Sequence, residues 1–197
     1  MDCWAFSQNK ETYDALVAAY AQKGRHYHTN EHVSGCLGHL DNCAGELDSP
    51  REVEIALWFH DAIYNSLSSE NERKSADWAA SFLAEQGASG ETITRVHRLI
   101  MVTEHDAPTQ TKDESFLVDI DLSILGASPE TYELFEKGVQ NEYRLVPSFL
   151  YRRKRAEVLR GFMERPRIYT NEVFSAPLER RAKENLSNAI AKLEGRA

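Results

Sequence analysis

Apolar residues recur every three or four positions along most of the chain, which is the spacing of a single buried helix face. The first segment with this pattern precedes Gly24 and carries Tyr13, Leu16, Val17 and Tyr20. A second helix is predicted to begin near Asn30, and its apolar face carries Val33, Leu37 and Leu40. The opening of the chain is therefore predicted to form two helices separated by a short loop.

Helix-start and helix-stop residues divide the rest of the chain. Ser49, Pro50 and Glu52 have the arrangement of a capping box, which predicts the start of a third helix. The pair Ser128-Pro129 predicts another start, and Gly87 ends an amphipathic segment. The further predicted helices cover residues 70–86, 91–105, 115–125, about 147–164 and 178–194.

Strand-like alternation and hairpin turns are missing from the sequence, and no repeat or linker interrupts the helical pattern. A length of 197 residues is sufficient for one well-buried core. We therefore expect an all-α single domain over residues 1–197. No run approaches the roughly 20 apolar residues of a membrane helix, so we expect no membrane association.

Charge and cysteine content restrict the partners and the compartment. The chain has 23 basic and 31 acidic side chains, giving a net charge of −8, which disfavours binding to duplex nucleic acid. Cys3, Cys36 and Cys43 are odd in number and form no CxxC pair, and no signal peptide is visible. These features predict a cytoplasmic protein. They are compatible with both a monomer and a homo-oligomer.

The adjacent residues His60 and Asp61 follow the apolar sequence Ala-Leu-Trp-Phe and are predicted to lie at the end of a buried helix. A buried imidazole and carboxylate must be paired with each other or bound to a cation, because an isolated buried charge is too costly. A structural hydrogen-bonded pair and a metal site are both compatible with this dipeptide.

Two later aspartates differ in their helical neighbours. Residues three and four positions from Asp121 are all apolar, whereas those around Asp119 are mixed. We therefore expect Asp121 to point into the core and to be the better ligand candidate, with Asp119 more peripheral.

The order of His32, His60-Asp61 and Asp121 on successive helices resembles the HD-domain metal-dependent phosphohydrolases. Longer segments are similar to a bacterial family of predicted HD-superfamily metal-dependent phosphohydrolases: RHYHTNEHV (25–33), ALWFHDAIY (56–64), NERKSA (71–76), VDIDLSILG (118–126) and NEYR (141–144). The resemblance runs from about residue 10 to the last helix. It implies an HD-type helical bundle with phosphohydrolase activity.

The resemblance implies that four side chains hold one divalent ion: His32, His60, Asp61 and Asp121. Two nitrogen and two oxygen ligands with open positions suit Mn, Fe, Co, Ni or Zn, and Mg also fits. An ion of this kind would activate a water molecule and polarise a phosphoryl oxygen.

A neighbouring acid is needed to orient or deprotonate that water, and Glu72 is the candidate. It lies eleven residues after Asp61, and related HD hydrolases place an acid in a similar position. Asp61 and Glu72 are therefore the expected catalytic residues. The alternative for Glu72 is a glutamate that only interacts favourably with the helix dipole.

Five further residues are candidates for contacting a phosphorylated substrate: Arg25, His26, His28, His105 and Arg144. For the first three, an exposed loop position without a role is the alternative. The basic run at residues 151–155 is interpreted as a solvated helix face, with attraction of anionic nucleotides as its functional alternative.

The leading functional hypothesis is hydrolysis of a small phosphate ester, most plausibly a nucleotide. A second hypothesis is a sensor module that binds metal and nucleotide without chemistry. A two-iron oxygenase ranks last, because it would require more histidines at metal-binding spacing than this sequence offers.

Overall fold

The computed structural model describes residues 9–196, so Cys3 lies outside the described residues. All regular secondary structure in this part of the chain is helical, with no strand, which confirms the all-α prediction. None of its helices is both long and apolar enough to cross a lipid bilayer. The helices are α1 (Lys10–Tyr20), α2 (Asn30–Cys43), α3 (Pro50–Phe59), α4 (Asn71–Glu85), α5 (Gly90–Met101), α6 (Lys112–Asp121), α7 (Pro129–Glu142), α8 (Ser148–Met163) and α9 (Glu172–Leu193).

The helices group into two compact units, Met1–Val118 and Asp119–Ala197, and the boundary falls inside α6. The first unit contains α1 to α5 and the second contains α7 to α9. The expectation of a single domain over residues 1–197 stays a prediction.

Helix α3 is the centre of the first unit and packs against α2, α4 and α5. Its sequence is apolar on nearly every side, and Val53, Ala56, Leu57 and Phe59 are fully buried. The Phe59 ring meets Trp78 and Phe82 of α4, with ring centroids 5.5 and 5.6 Å apart. The end of α3 is therefore fixed inside the core of this unit.

The start of α3 differs from the expected capping box. Ser49 is the residue before the helix, but its side chain makes no capping hydrogen bond. Glu52 instead binds Arg95 of α5 through contacts of 2.8 and 2.7 Å. The carboxylate of Asp113 accepts the backbone N–H groups of Asp48 and Ser49, at 2.8 and 2.9 Å. A distant acid thus replaces the local cap.

In the second unit, α9 packs against α8 and against a short 3-10 turn, Leu122–Gly126. Helix α9 begins at Glu172, six residues before the predicted start, and contains Pro177. Asp119 binds the residues that precede this helix, accepting the N–H groups of Thr170 and Asn171 at 2.9 and 2.7 Å. The sequence prediction placed the start of this helix too late, because the contacts of Asp119 fix the residues that precede the helix.

Candidate metal centre

Three side chains of the first unit bring donor atoms together at one point. The Nε2 atoms of His32 and His60 lie 3.0 Å apart. Asp61 Oδ2 lies 3.1 Å from His60 Nε2 and 3.6 Å from His32 Nε2. Only 5% of the His32 side chain, 1% of the His60 side chain and 13% of the Asp61 side chain is exposed. The three atoms thus form a compact and largely buried donor set.

Helix termini place these residues. His32 lies in the first turn of α2, and His60 directly follows the last residue of α3. The ring of His60 is fixed by a 2.9 Å hydrogen bond between its Nδ1 and the carbonyl oxygen of Leu57. Because a carbonyl oxygen can only accept, Nδ1 carries the hydrogen, and the Nε2 of neutral His60 presents a lone pair to the other donors.

The donor spacing fits one shared ion. Bonds from a metal to histidine nitrogen or carboxylate oxygen are about 2.0–2.2 Å long, so two ligands at a right angle lie about 3.0 Å apart, and at the tetrahedral angle about 3.4 Å apart. The observed separations of 3.0, 3.1 and 3.6 Å agree with such edges. A hydrogen bond from an N–H at His32 Nε2 to His60 Nε2 would also span 3.0 Å. Metal titration distinguishes this hydrogen bond from a shared ion.

The Asp61 carboxylate is held in its ionised form. Burial on its own would raise the pKa of Asp61. The positive charges that His60, His28 and His32 carry when they are protonated, and a hydrogen bond from protonated His60, outweigh burial and bring the pKa well below its usual range. An ionised carboxylate beside two imidazoles is the protonation state that cation binding requires.

Glu72 lies in the first turn of α4 and is half-buried. Burial raises its pKa, and the negative charges of Asp61 and Glu104 raise it further. The start of α4 is tied to the loop after Asp61, because Ser75 Oγ accepts the backbone N–H of Ile63 at 3.0 Å. The charge of Asp61 therefore acts on Glu72, and the catalytic role expected for Glu72 stays a prediction.

The loop histidines have different environments. His28 is half-buried and stacks on Tyr64, with ring centroids 4.3 Å apart and an angle of 28° between the rings. The ring of Tyr27 lies against His32, with centroids 4.8 Å apart. His26 is exposed. His28 thus belongs to an aromatic surface beside the donor set, and His26 faces solvent.

Arg25 is bound to the protein backbone. It is buried, with 8% of its surface exposed, and its guanidinium donates to the carbonyl oxygens of His28, Asp61 and Ala62. These bonds direct it toward the protein backbone. The observed contacts of Arg25 are structural, and the substrate contact expected from the sequence stays a prediction.

His105 and Arg144 occupy separate places. His105 is half-buried at the end of a 3-10 turn, in a left-handed backbone conformation with φ of 60°. An electrostatic interaction with His105 acts to lower the pKa of the Glu72 carboxyl. Arg144 is exposed and belongs to the second unit. The substrate contacts expected for both residues stay predictions.

The expected burial of the two aspartates of α6 is wrong. Asp119 is fully buried, whereas Asp121 is only half-buried. The three N–H donors that Asp119 accepts, from the backbone of Thr170 and from the backbone and side chain of Asn171, give it a structural role. Asp121 belongs to the second unit, and its place as a fourth ligand stays a prediction.

The basic run of residues 151–155 lies on α8, and only part of it is solvated. Arg152, Arg153 and Lys154 are exposed. Arg155 instead forms a two-bond ion pair with Glu136 of α7, at 2.6 and 3.2 Å. The run therefore combines three exposed side chains with one that binds α8 to α7.

Sequence reasoning missed two residues around the donor set. From the sequence, Cys36 was considered only as one of three cysteines, and its side chain is buried. Its sulfur also lies 3.8 Å from both ring nitrogens of His32, a contact that their spacing of four residues on α2 could have indicated. Tyr20 was assigned only to the apolar face of α1, yet its hydroxyl contacts the backbone of Asp61.

No family model, no curated protein and no solved structure matches this chain. The relationship to HD-domain proteins therefore stays a prediction from the sequence motifs.

Proposed function

We propose that this chain is a metal-dependent phosphohydrolase of the HD superfamily that cleaves a small phosphate ester, with nucleotides as the leading substrate class. The observation that carries the proposal is the convergence of His32 Nε2, His60 Nε2 and Asp61 Oδ2 within 3.0–3.6 Å. Two imidazoles and one ionised carboxylate suit divalent Mn, Fe, Co, Ni, Zn or Mg.

The ion, when bound, would supply a water molecule of lowered pKa and polarise a phosphoryl oxygen. The chain's own contribution is to hold the ion through His32, His60 and Asp61 and to accept a proton on Glu72. A carboxyl with a raised pKa is a more effective proton acceptor near neutral pH than one with an ordinary pKa.

The aromatic surface beside the donor set supports a nucleotide in particular. Tyr27, His28 and Tyr64 pack side by side next to His32, and each keeps part of its surface exposed. A nucleobase can stack on rings of this kind, while His26 and His28 contact phosphate oxygens. Asp121 would be a further metal ligand, and Arg144 would contact a phosphate group of the substrate.

The test is phosphate or pyrophosphate release from a panel of nucleoside mono-, di- and triphosphates. Metal-free protein is assayed alone and with each of the six cations. We expect turnover with at least one transition metal and its loss in His60→Ala. His97→Ala is the matched control, because His97 is a partly exposed histidine of the same unit that pairs with Asp77. Circular dichroism of each variant confirms folding.

Two results would contradict the proposal in different ways. If no cation binds to the wild-type protein, the donor set is a hydrogen-bonded structural pair with an adjacent acid. The chain is a sensor module if it binds both a cation and a nucleotide without turnover, and if Glu72→Gln leaves both affinities unchanged. A turnover that survives His60→Ala would also overturn the proposal.

A further inference from the structure

Both peptide groups that flank the Asp61 side chain are held by buried side chains from the end of α1 and the loop after it. The Tyr20 hydroxyl accepts the backbone N–H of Asp61 at 3.3 Å and donates to the carbonyl oxygen of Trp58 at 3.1 Å. Arg25 Nη1 donates to the carbonyl oxygen of Asp61 at 2.6 Å, and its Nη2 donates to that of Ala62 at 2.8 Å.

These two side chains also fix each other. The guanidinium carbon of Arg25 lies 5.1 Å from the ring centroid of Tyr20 and 5.4 Å from that of Tyr64. Tyr20 is 1% exposed and Arg25 is 8% exposed. A buried guanidinium that donates to carbonyl oxygens and lies over two aromatic rings has little freedom to move.

Asp61 needs such support because it lies beyond the last residue of α3. The N–H of Ala62 still donates to the carbonyl oxygen of Phe59 at 2.9 Å, but the carbonyl groups of Asp61 and Ala62 have no partner within the helix, and Arg25 binds them instead. Coordination tolerates deviations of only about 0.2 Å in ligand distance. A small rotation of the Asp61 peptide would displace Oδ2 by more than that.

We propose that Tyr20 and Arg25 are positioning residues that hold the backbone of Asp61 so that its carboxylate can bind a divalent cation together with His32 and His60. This inference rests on the proposed function. It assigns Arg25 to the arrangement of the ligands and gives the Tyr20 hydroxyl a role that its position in the core does not require.

The test is titration of metal-free protein with Co²⁺, followed by calorimetry and by the visible absorption of the bound ion. Tyr20→Phe removes only the hydroxyl, and Arg25→Lys keeps the positive charge but loses the two-pronged geometry. We expect the Co²⁺ dissociation constant to rise by about tenfold or more in each variant, with an altered absorption spectrum. The melting temperature of metal-free Tyr20→Phe should stay close to the wild-type value.

Tyr13→Phe and Arg98→Lys are the matched controls. Tyr13 lies on α1 with 42% exposure, and Arg98 pairs with the buried Glu114 of the same unit at 2.6 Å. Neither contacts Asp61 in any recorded hydrogen bond or ion pair of the described residues, so both variants should keep the wild-type affinity for Co²⁺. A loss of affinity in these controls equal to that in Tyr20→Phe would overturn the inference.

The remaining outcomes separate the inference from the function on which it rests. Wild-type protein that binds no Co²⁺ would overturn the proposed function, and the inference with it. Wild-type protein that binds Co²⁺, with unchanged affinity and spectrum in both Tyr20→Phe and Arg25→Lys, would overturn the inference alone. If Arg25→Lys fails to fold, the isosteric Tyr20→Phe decides.

Discussion

Two carboxylates of the first unit have pKa values that shift in opposite directions. Asp61 is surrounded by imidazoles, which keep its pKa low despite burial. Glu72 is half-buried and close to other acids, so burial and then their charge raise its pKa. Pairs of acids with divergent environments are typical of sites in which one group binds a charge and the other exchanges a proton.

The first prediction concerns the pH dependence of turnover. The ionised form of Glu72 accepts the proton, so activity should fall as the pH drops through its raised pKa, above the ordinary value of 4.5. In Glu72→Gln, kcat should fall by about 10²- to 10⁴-fold. The residual activity of this variant should no longer show the decrease at low pH that Glu72 causes in the wild-type protein. Initial rates measured between pH 4.5 and 9 check this.

The same residue gives a stability control for that experiment. A raised pKa in the folded state means that Glu72 contributes stability at low pH and loses that contribution as the pH rises through the folded-state pKa. The melting temperature of metal-free Glu72→Gln should therefore exceed the wild-type value by more at pH 8 than at pH 4.5. An equal difference at both pH values would contradict the assigned environment of Glu72.

At the level of elements, local signals predicted most helix boundaries. Asn30 begins α2, and Ser128-Pro129 begins α7, in which the Ser128 hydroxyl accepts the N–H of Thr131. Gly87 follows α4 with φ of 74°, a conformation that favours glycine. Such signals act within one helical turn, so the sequence carries them without knowledge of the fold. The position of His60 and Asp61 at the end of α3 was predictable for the same reason.

The incorrect predictions share a different cause. Asp119 was expected at the periphery but is buried by residues 170 and 171, which lie about fifty positions later in the chain. The contacts of Arg25 with the backbone of Asp61 and Ala62 were also not predicted. Each outcome depends on a partner distant in sequence, and helical periodicity contains no information about that partner.

The start of α3 provides the second prediction. Asp113→Ala should lower the free energy of unfolding by about 2 kcal/mol, because the N–H groups of Asp48 and Ser49 lose a charged acceptor. Ser49→Ala should change it by less than about 0.5 kcal/mol, because the Ser49 side chain makes no capping bond. Urea denaturation of both variants measures the difference. If Ser49→Ala lowered the free energy of unfolding by more than about 0.5 kcal/mol, Ser49 would cap α3 as the sequence predicted.

For the whole molecule, the open question is whether the two compact units unfold together. The sequence shows no linker between them, and the boundary falls within a continuous helix, α6. The donor set of His32, His60 and Asp61 lies entirely in the first unit. A ligand that binds there stabilises only the cooperative unit that contains it, so cation binding can report on the extent of that unit.

The third prediction follows for differential scanning calorimetry with and without Co²⁺. At a free concentration one hundred times the dissociation constant, binding adds about 2.7 kcal/mol, which for a chain of this size raises the melting temperature by about 5–10 °C. If residues 1–197 form one domain, a single transition should shift as a whole. His60→Ala should show the same transition without the shift. Two transitions of which only one moves would instead show that the units unfold independently and that the single-domain prediction is wrong.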